Sequence, residues 1–257
     1  MKRLLFLGNS HLVAVQAAWQ AAQPKGYEAE FFGAPQRDWA RMALLPGNLF
    51  GLTVDGATKR QREMTEKANG KPAVSLDHRD ILVIVGSFPA ADPLAILLAD
   101  CDVTGLRETG AATLLSDTLF AKACQSLAEA QLPPSGWQNR DETVLMLPRP
   151  APAETCLGST FPGYRAWHRL AAAPGGVSAA FGRFDDRLKA VMAECNLVYI
   201  PQPARTRTAI GLTAGHLLAP GGGIKAGEDK KRGDHAHMNI SYGAACIAEL
   251  LTALQES

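Results

Sequence analysis

The sequence predicts an α/β protein, a three-layer α/β/α sandwich around a central, mostly parallel five-stranded sheet. Two observations carry this. Short, continuous apolar runs recur along the chain, the pattern of strands buried on both faces of a parallel sheet. Longer helix-like stretches stand between them, so strand and helix alternate. Composition agrees: 257 residues, 47% hydrophobic and 20% charged, describe a globular chain able to fill a core of this kind. One domain spanning residues 1–257 is expected.

The elements follow in order. "RLLFLG" (3–8) is the first strand and "HLVAVQAAWQAA" (11–22) the first helix. "EAEFFGA" (28–34) and "DILVIVG" (80–86) are the second and third strands. "SDTLFAKACQSLAEAQ" (116–131) is a helix before the fourth strand, "TVLMLP" (143–148). "FGRFDDRLKAVMAEC" (181–195) is a helix before the fifth, "LVYIPQP" (197–203), and "ISYGAACIAELLTAL" (240–254) is the final helix. Right-handed crossovers place ligands outside the carboxyl ends of such strands. Gly8, Gly33, Gly86, Pro148 and Pro201 therefore fall along one rim. The stretches 46–79, 148–163 and 203–236 read as irregular, and loops of that length are functional lids or disordered.

Charge excludes some partners. Lys and Arg number 26 against 25 Asp and Glu, a formal charge of +1, so no global field draws the protein onto nucleic acid or anionic lipid. The basic opening "MKRLLFLGNSH" resembles the start of a secretory signal, but the apolar run stops at Gly8 and no small-residue cleavage site follows. No apolar run approaches the roughly 18 to 20 residues needed to cross a bilayer. Cys101, Cys124, Cys156, Cys195 and Cys246 are odd in number and far apart, as reduced thiols of a cytoplasmic protein would be.

Two clusters bear chemistry. Gly8-Asn9-Ser10-His11 stands where the first strand hands over to the first helix, a place where backbone N–H groups and the positive end of a helix dipole face the rim. Ser10 there is either a helix cap or a nucleophile. Near the other end, Asp234-His235-Ala236-His237 leads into the final helix. A serine hydroxyl needs a base within hydrogen-bond reach and a third group to orient that base. Asp234 and His237 are three residues apart, so a single turn brings the carboxylate onto the imidazole Nδ1–H and leaves Nε2 free. His235 points the other way and is the weaker candidate. The alternatives are that Asp234 caps the last helix, or that His235, His237 and His216 hold a metal.

With both clusters in view, the chain resembles the SGNH (GDSL-like) hydrolases, serine esterases, lipases and carbohydrate deacetylases of a flavodoxin-like α/β/α fold. "FLGNSH" and the D-x-x-H of "DHAH" carry the resemblance. It implies Ser10 as nucleophile, His237 as general base and Asp234 as the acid that orients it, with no cofactor and no metal. It also implies an oxyanion hole from the N–H groups of Ser10 and Gly33. The third block departs from the family: where a G-x-N-D asparagine is usual, this chain has Gly86-Ser87-Phe88-Pro89. One missing oxyanion donor typically removes about 3 to 4 kcal/mol of transition-state stabilisation. Ser87 is the nearest hydroxyl that could replace it, and Asn48 a more distant amide. Asn9, in place of the family's aspartate, braces the turn or meets substrate. The expected activity is hydrolysis of an ester or O-acyl group on a small molecule or saccharide. Acyl transfer and a non-catalytic binding role are the alternatives.

Further features of the rim are weaker. "PQPARTRTAIG" (201–211) carries Arg205 and Arg207, which could hold an acidic group of a substrate. "APGGGIKAGEDKKRG" (219–233) reads as a lid; it lacks the spacing of a phosphate-binding loop, so nucleotide binding is not expected. Tyr164, Trp167 and His168 stand at helical spacing and read as packing before sugar stacking.

Overall fold

A computed structural model describes residues 1–53, 57–223 and 233–256. In chain order the elements are β1 (Lys2–Gly8), α1 (Leu12–Ala22), β2 (Tyr27–Gly33), α2 (Gln36–Trp39), β3 (Met42–Leu45), β4 (Leu49–Leu52), α3 (Lys59–Asn69), β5 (Ala73–Ser75), β6 (Ile81–Val85) and α4 (Asp92–Asp100). There follow β7 (Cys101–Val103), β8 (Thr113–Leu115), α5 (Asp117–Glu129), β9 (Thr143–Leu147), α6 (Arg165–Ala172), α7 (Val177–Ala193), β10 (Leu197–Tyr199) and α8 (Ile240–Glu256).

The five expected strands form one sheet in the order β10-β9-β6-β1-β2, every neighbouring pair parallel. The chain starts in the interior at β1, steps to one edge at β2, and crosses back over β1 to run outward through β6, β9 and β10. Such a reversal opens a crevice at the carboxyl end of the strands where it occurs, which here is the end of β1.

Strand side chains alternate between the two faces, and each face has its own core. Leu4, Phe6, Val83 and Leu145 meet α1 and α8 through Val15, Trp19, Ile247 and Leu250. Leu5, Leu7, Leu82 and Met146 face α4, α5, α6 and α7, with Leu98, Phe120, Trp167 and Phe184 among the buried partners. The protein is thus α/β, with a five-stranded parallel sheet flanked by helices on both faces. No helix among the described residues is long and apolar enough to cross a membrane.

Two departures from the sequence reading concern the loops. Residues 46–79 are not irregular: β4, α3 and β5 lie there, and β3-β4-β5 make a small antiparallel sheet. β7 and β8 pair as a second small sheet, and α2, α4 and α6 are further helices. The lid expected over 219–233 lies outside the described residues from 224 to 232. Its flanks are joined, since Gly223 N–H donates to Asp234 O at 2.5 Å and Asp234 N–H to Gly223 O at 3.2 Å.

Candidate active site

The turn after β1 is held by Asn9. Its side chain is buried; Nδ2 donates to Gly86 O at 2.7 Å and to Gln36 Oε1 at 2.5 Å, and Oδ1 accepts from the His11 N–H at 3.0 Å. Both N–H groups of that amide are therefore used in shaping the turn, and its oxygen takes part in it as well. Gly86 answers Asn9 from the turn that follows β6. With φ +74°, it would place a Cβ 2.7 Å from both Asn9 Oδ1 and His11 Cβ, so only glycine lets the two turns close on each other. Gly86 is buried, and its carbonyl serves Asn9 rather than a ligand.

From the other end of the chain, the run into α8 comes over this turn. Ala219 N–H donates to His237 O, and Asn239 N–H donates to Leu217 O. Together with the Gly223 and Asp234 pairing, these bonds fix the loop on both sides of His237. Close approach of the helices behind it completes the placement: a Cβ on Gly243 of α8 would fall 2.0 Å from Ala14 O of α1.

Ser10 Oγ lies 2.8 Å from His237 Nε2, and His237 Nδ1 lies 2.8 Å from Asp234 Oδ2. An ionised carboxylate only accepts, so Nδ1 carries the proton and Nε2 accepts from the Ser10 hydroxyl. Asp234 Oδ1 also accepts from the N–H groups of Ala236 and His237, at 3.1 and 3.2 Å. Burial pushes the Asp234 carboxyl up, but the hydrogen bonds from the His237 ring and the two backbone N–H groups outweigh it and hold it below the usual range. Both side chains are nearly half exposed, so the dyad opens to solvent. His11 stacks on His237 with ring centroids 5.5 Å apart. Burial, then the neighbouring His237 and Arg149, push its pKa down to about 4, so His11 is an uncharged ring at neutral pH.

A cavity of about 320 Å³ adjoins Ser10, lined in part by Asn9, Leu12, Phe31, Gly33 and Asn69. The oxyanion donors expected from the sequence fare unequally there. Gly33 lines the cavity, but its N–H donates to Asn69 Oδ1 at 2.8 Å while Asn69 Nδ2 returns a bond to Gly33 O at 2.9 Å. Gly33 is thus already engaged and does not supply the expected donor. Ser87 Oγ is enclosed, without a hydrogen-bond partner among the described residues, and Ser87 lines a different cavity from the one at Ser10. Asn48 is turned to Asp77 and Arg140. The Ser10 N–H has no protein acceptor among the described residues.

The remaining candidates lie elsewhere. Arg207 pairs with Asp185 of α7, its Nη1 2.5 Å from Oδ2, and neither it nor the exposed Arg205 lines the cavity at Ser10. Their expected substrate role is not supported, because the buried carboxylate claims the Arg207 guanidinium. His235 is buried with Nδ1 2.8 Å from Thr155 Oγ1, and its ring meets Tyr164 edge-on. His216 is exposed, and among the described residues no three His, Cys, Asp or Glu side chains converge as metal ligands. Trp167 is buried against Phe181 and donates to Asp92, and His168 Nε2 sits 2.9 Å from Ser159 O, so both serve packing.

Sequence reasoning missed Gln36, Asn69 and the role of His11. Asn69 ends α3, which Gly70 closes in the left-handed conformation at φ +73°, a stop signal that marks the helix end but not the Gly33 contact. Gln36 left no signal in the sequence. No family model matches this chain, and no curated protein matches it.

Proposed function

We propose that the protein is a serine hydrolase of the SGNH kind that cleaves an ester or O-acyl group on a small molecule or saccharide. The observation that carries this reading is the unbroken hydrogen-bonded line from Ser10 through His237 to Asp234. In it, Ser10 Oγ bonds to the acyl carbon while its proton passes to His237 Nε2. The imidazolium so formed is stabilised by the Asp234 carboxylate. The Ser10 N–H, at the entry to α1, donates to the oxyanion. His237 then returns the proton to the departing alkoxide as the C–O bond breaks. Water, deprotonated by the same Nε2, releases the carboxylic acid and restores Ser10. Five unpaired thiols fit a cytoplasmic setting.

One observation favours a second reading. With the Gly33 N–H held by Asn69 and Ser87 Oγ enclosed, a single donor of the three expected faces the cavity. A site so short of oxyanion donors suits a slow enzyme or a binding protein on the same scaffold.

The test is a fluorophosphonate probe and p-nitrophenyl acetate applied to the wild type and to Ser10→Ala. The wild type should be labelled and should release p-nitrophenol; Ser10→Ala should lose labelling and fall at least about a thousandfold in kcat. A folded but inert wild type supports the binding protein. Turnover that survives in Ser10→Ala and disappears with a chelator means a metal-dependent hydrolase. Product analysis with an added alcohol separates transfer from hydrolysis, since transfer yields a new ester.

A further inference from the structure

A second cavity is linked to the Ser10 turn through one side chain, Gln36, which accepts from Asn9 and stands on its lining. It measures about 300 Å³ and is walled by Trp39, Met42, Phe50, Ile84, Phe88 and Trp137, with no charged residue on its lining. Three elements that no family expectation covers build most of it. Trp39 comes from α2, Met42 and Phe50 from the small antiparallel sheet, and Trp137 from the 3₁₀ turn Ser135–Trp137. Phe50 lies between the two indoles, its ring centroid 5.3 Å from each. Aromatic rings packed so leave a preformed, stiff-walled pocket.

Gln36 joins this pocket to the catalytic turn. Asn9 Nδ2 donates to the Gly86 carbonyl and Asn9 Oδ1 accepts from the His11 N–H, which together fix which end of the Asn9 amide is which. The Asn9 bond to Gln36 therefore ends on Gln36 Oε1, and the Gln36 Nε2 end is turned away from Asn9. That amino group has no acceptor among the described residues, and Gln36, itself exposed, is on the lining of the pocket. A mostly apolar chamber with few polar side chains on its wall, here Gln36 and Ser87, is the usual build of a small-molecule site. An apolar cavity of about 150 Å³, half this size, takes up benzene.

We propose that this pocket holds the apolar group of the ester, an alkyl chain of several carbons or one aryl ring, with Gln36 Nε2 donating to a polar atom beside it. The proposal rests on the serine hydrolase reading of Ser10 and narrows it to lipophilic esters over acetates of small polar alcohols.

Two ester series test it. The acyl arm compares p-nitrophenyl hexanoate with p-nitrophenyl acetate; the alcohol arm compares benzyl acetate with methyl acetate. A gain in kcat/KM of at least about tenfold for the larger group in either arm is expected from burying several methylene groups, and the responding arm says which side of the ester enters. Ala40→Phe, on the same lining, should cut that ratio at least fivefold. Both rates come from one preparation, so any loss of folded protein cancels in the ratio. A readout independent of turnover is tryptophan emission of the wild type titrated with hexan-1-ol against methanol, since Trp39 and Trp137 wall the pocket. Hexan-1-ol should give a saturable change that Ala40→Phe weakens. Saturable binding without any ester turnover leaves the pocket standing and removes the hydrolase. Ser10-dependent turnover with no size preference in either arm and no saturable emission change removes the pocket and leaves the hydrolase.

Discussion

The proton on His237 is placed by Asp234, and the serine depends on that placement. If Asp234 is replaced by asparagine, the amide can donate to Nδ1, which then accepts and leaves the proton on Nε2, facing the Ser10 hydroxyl the wrong way. Asp234→Asn should lower kcat for p-nitrophenyl acetate by about 10²- to 10⁴-fold with little change in KM. A variant that keeps the wild-type kcat would remove Asp234 from the mechanism. The spacing of Asp234 and His237 made their own contact legible, because three residues set it locally. Whether the Gly33 N–H is available could not be read, since its acceptor, Asn69, lies 36 positions away. The same holds for Asn9, whose turn-bracing amide finds its partners at Gly86, just after β6, and at Gln36 of α2.

Helix α8 carries the Asp234–His237 loop to Ser10 by crossing tightly over α1. Gly243 permits the crossing, and a methyl group there would run into the Ala14 carbonyl of α1 at 2.0 Å, where backbone on both sides cannot yield. Gly243→Ala should destabilise the fold by about 1–3 kcal/mol, read as a lower urea midpoint, and should lower activity by moving His237 off Ser10. An unchanged midpoint would show that the helices have slack to part. The long apolar elements of the two main cores were legible from their runs. Helix α3, "KRQREMTEKAN", was not: it is almost wholly polar, so it has no apolar stripe to see. Its start did carry a readable signal, the capping box in which Thr58 accepts from Gln61 N–H and Gln61 answers the Thr58 N–H. The strands of the small sheet are only three or four residues long, too short for alternation to separate them from a loop.

Acid should unfold the molecule in two stages. His11 moves from an ordinary 6.5 to about 4 on folding, so between those values the unfolded chain binds the extra proton and stability falls as pH drops. His235, also pushed down by burial, acts with the same sign. The second stage belongs to carboxylates whose folded pKa is depressed. Burial raises that of Asp102, but the Thr109 hydroxyl and the N–H groups of Ala111, Thr109 and Gly110 bring it down to about 2. Asp234 and Glu30 are shifted the same way. Their stabilisation is present above about pH 4 and is lost as pH falls through the folded values. Urea midpoints measured from pH 7 to pH 3 should decline from about 6.5, and His11→Gln should flatten the decline between 6.5 and 4 without touching the lower stage. An equal slope in that variant would show that His11 takes up its proton in the folded state as readily as in the unfolded one.

The sequence by itself determined the layered architecture and the meeting of Ser10 with His237. Buried parallel strands need continuous apolar runs, and a parallel sheet puts the loop after its first strand and the loop before its last helix on one rim. Only the tertiary structure decided which donors near Ser10 are engaged and what walls the neighbouring cavity. Hydrogen-bond partnership and enclosure are properties of side chains brought together from distant positions, and local pattern carries no record of them.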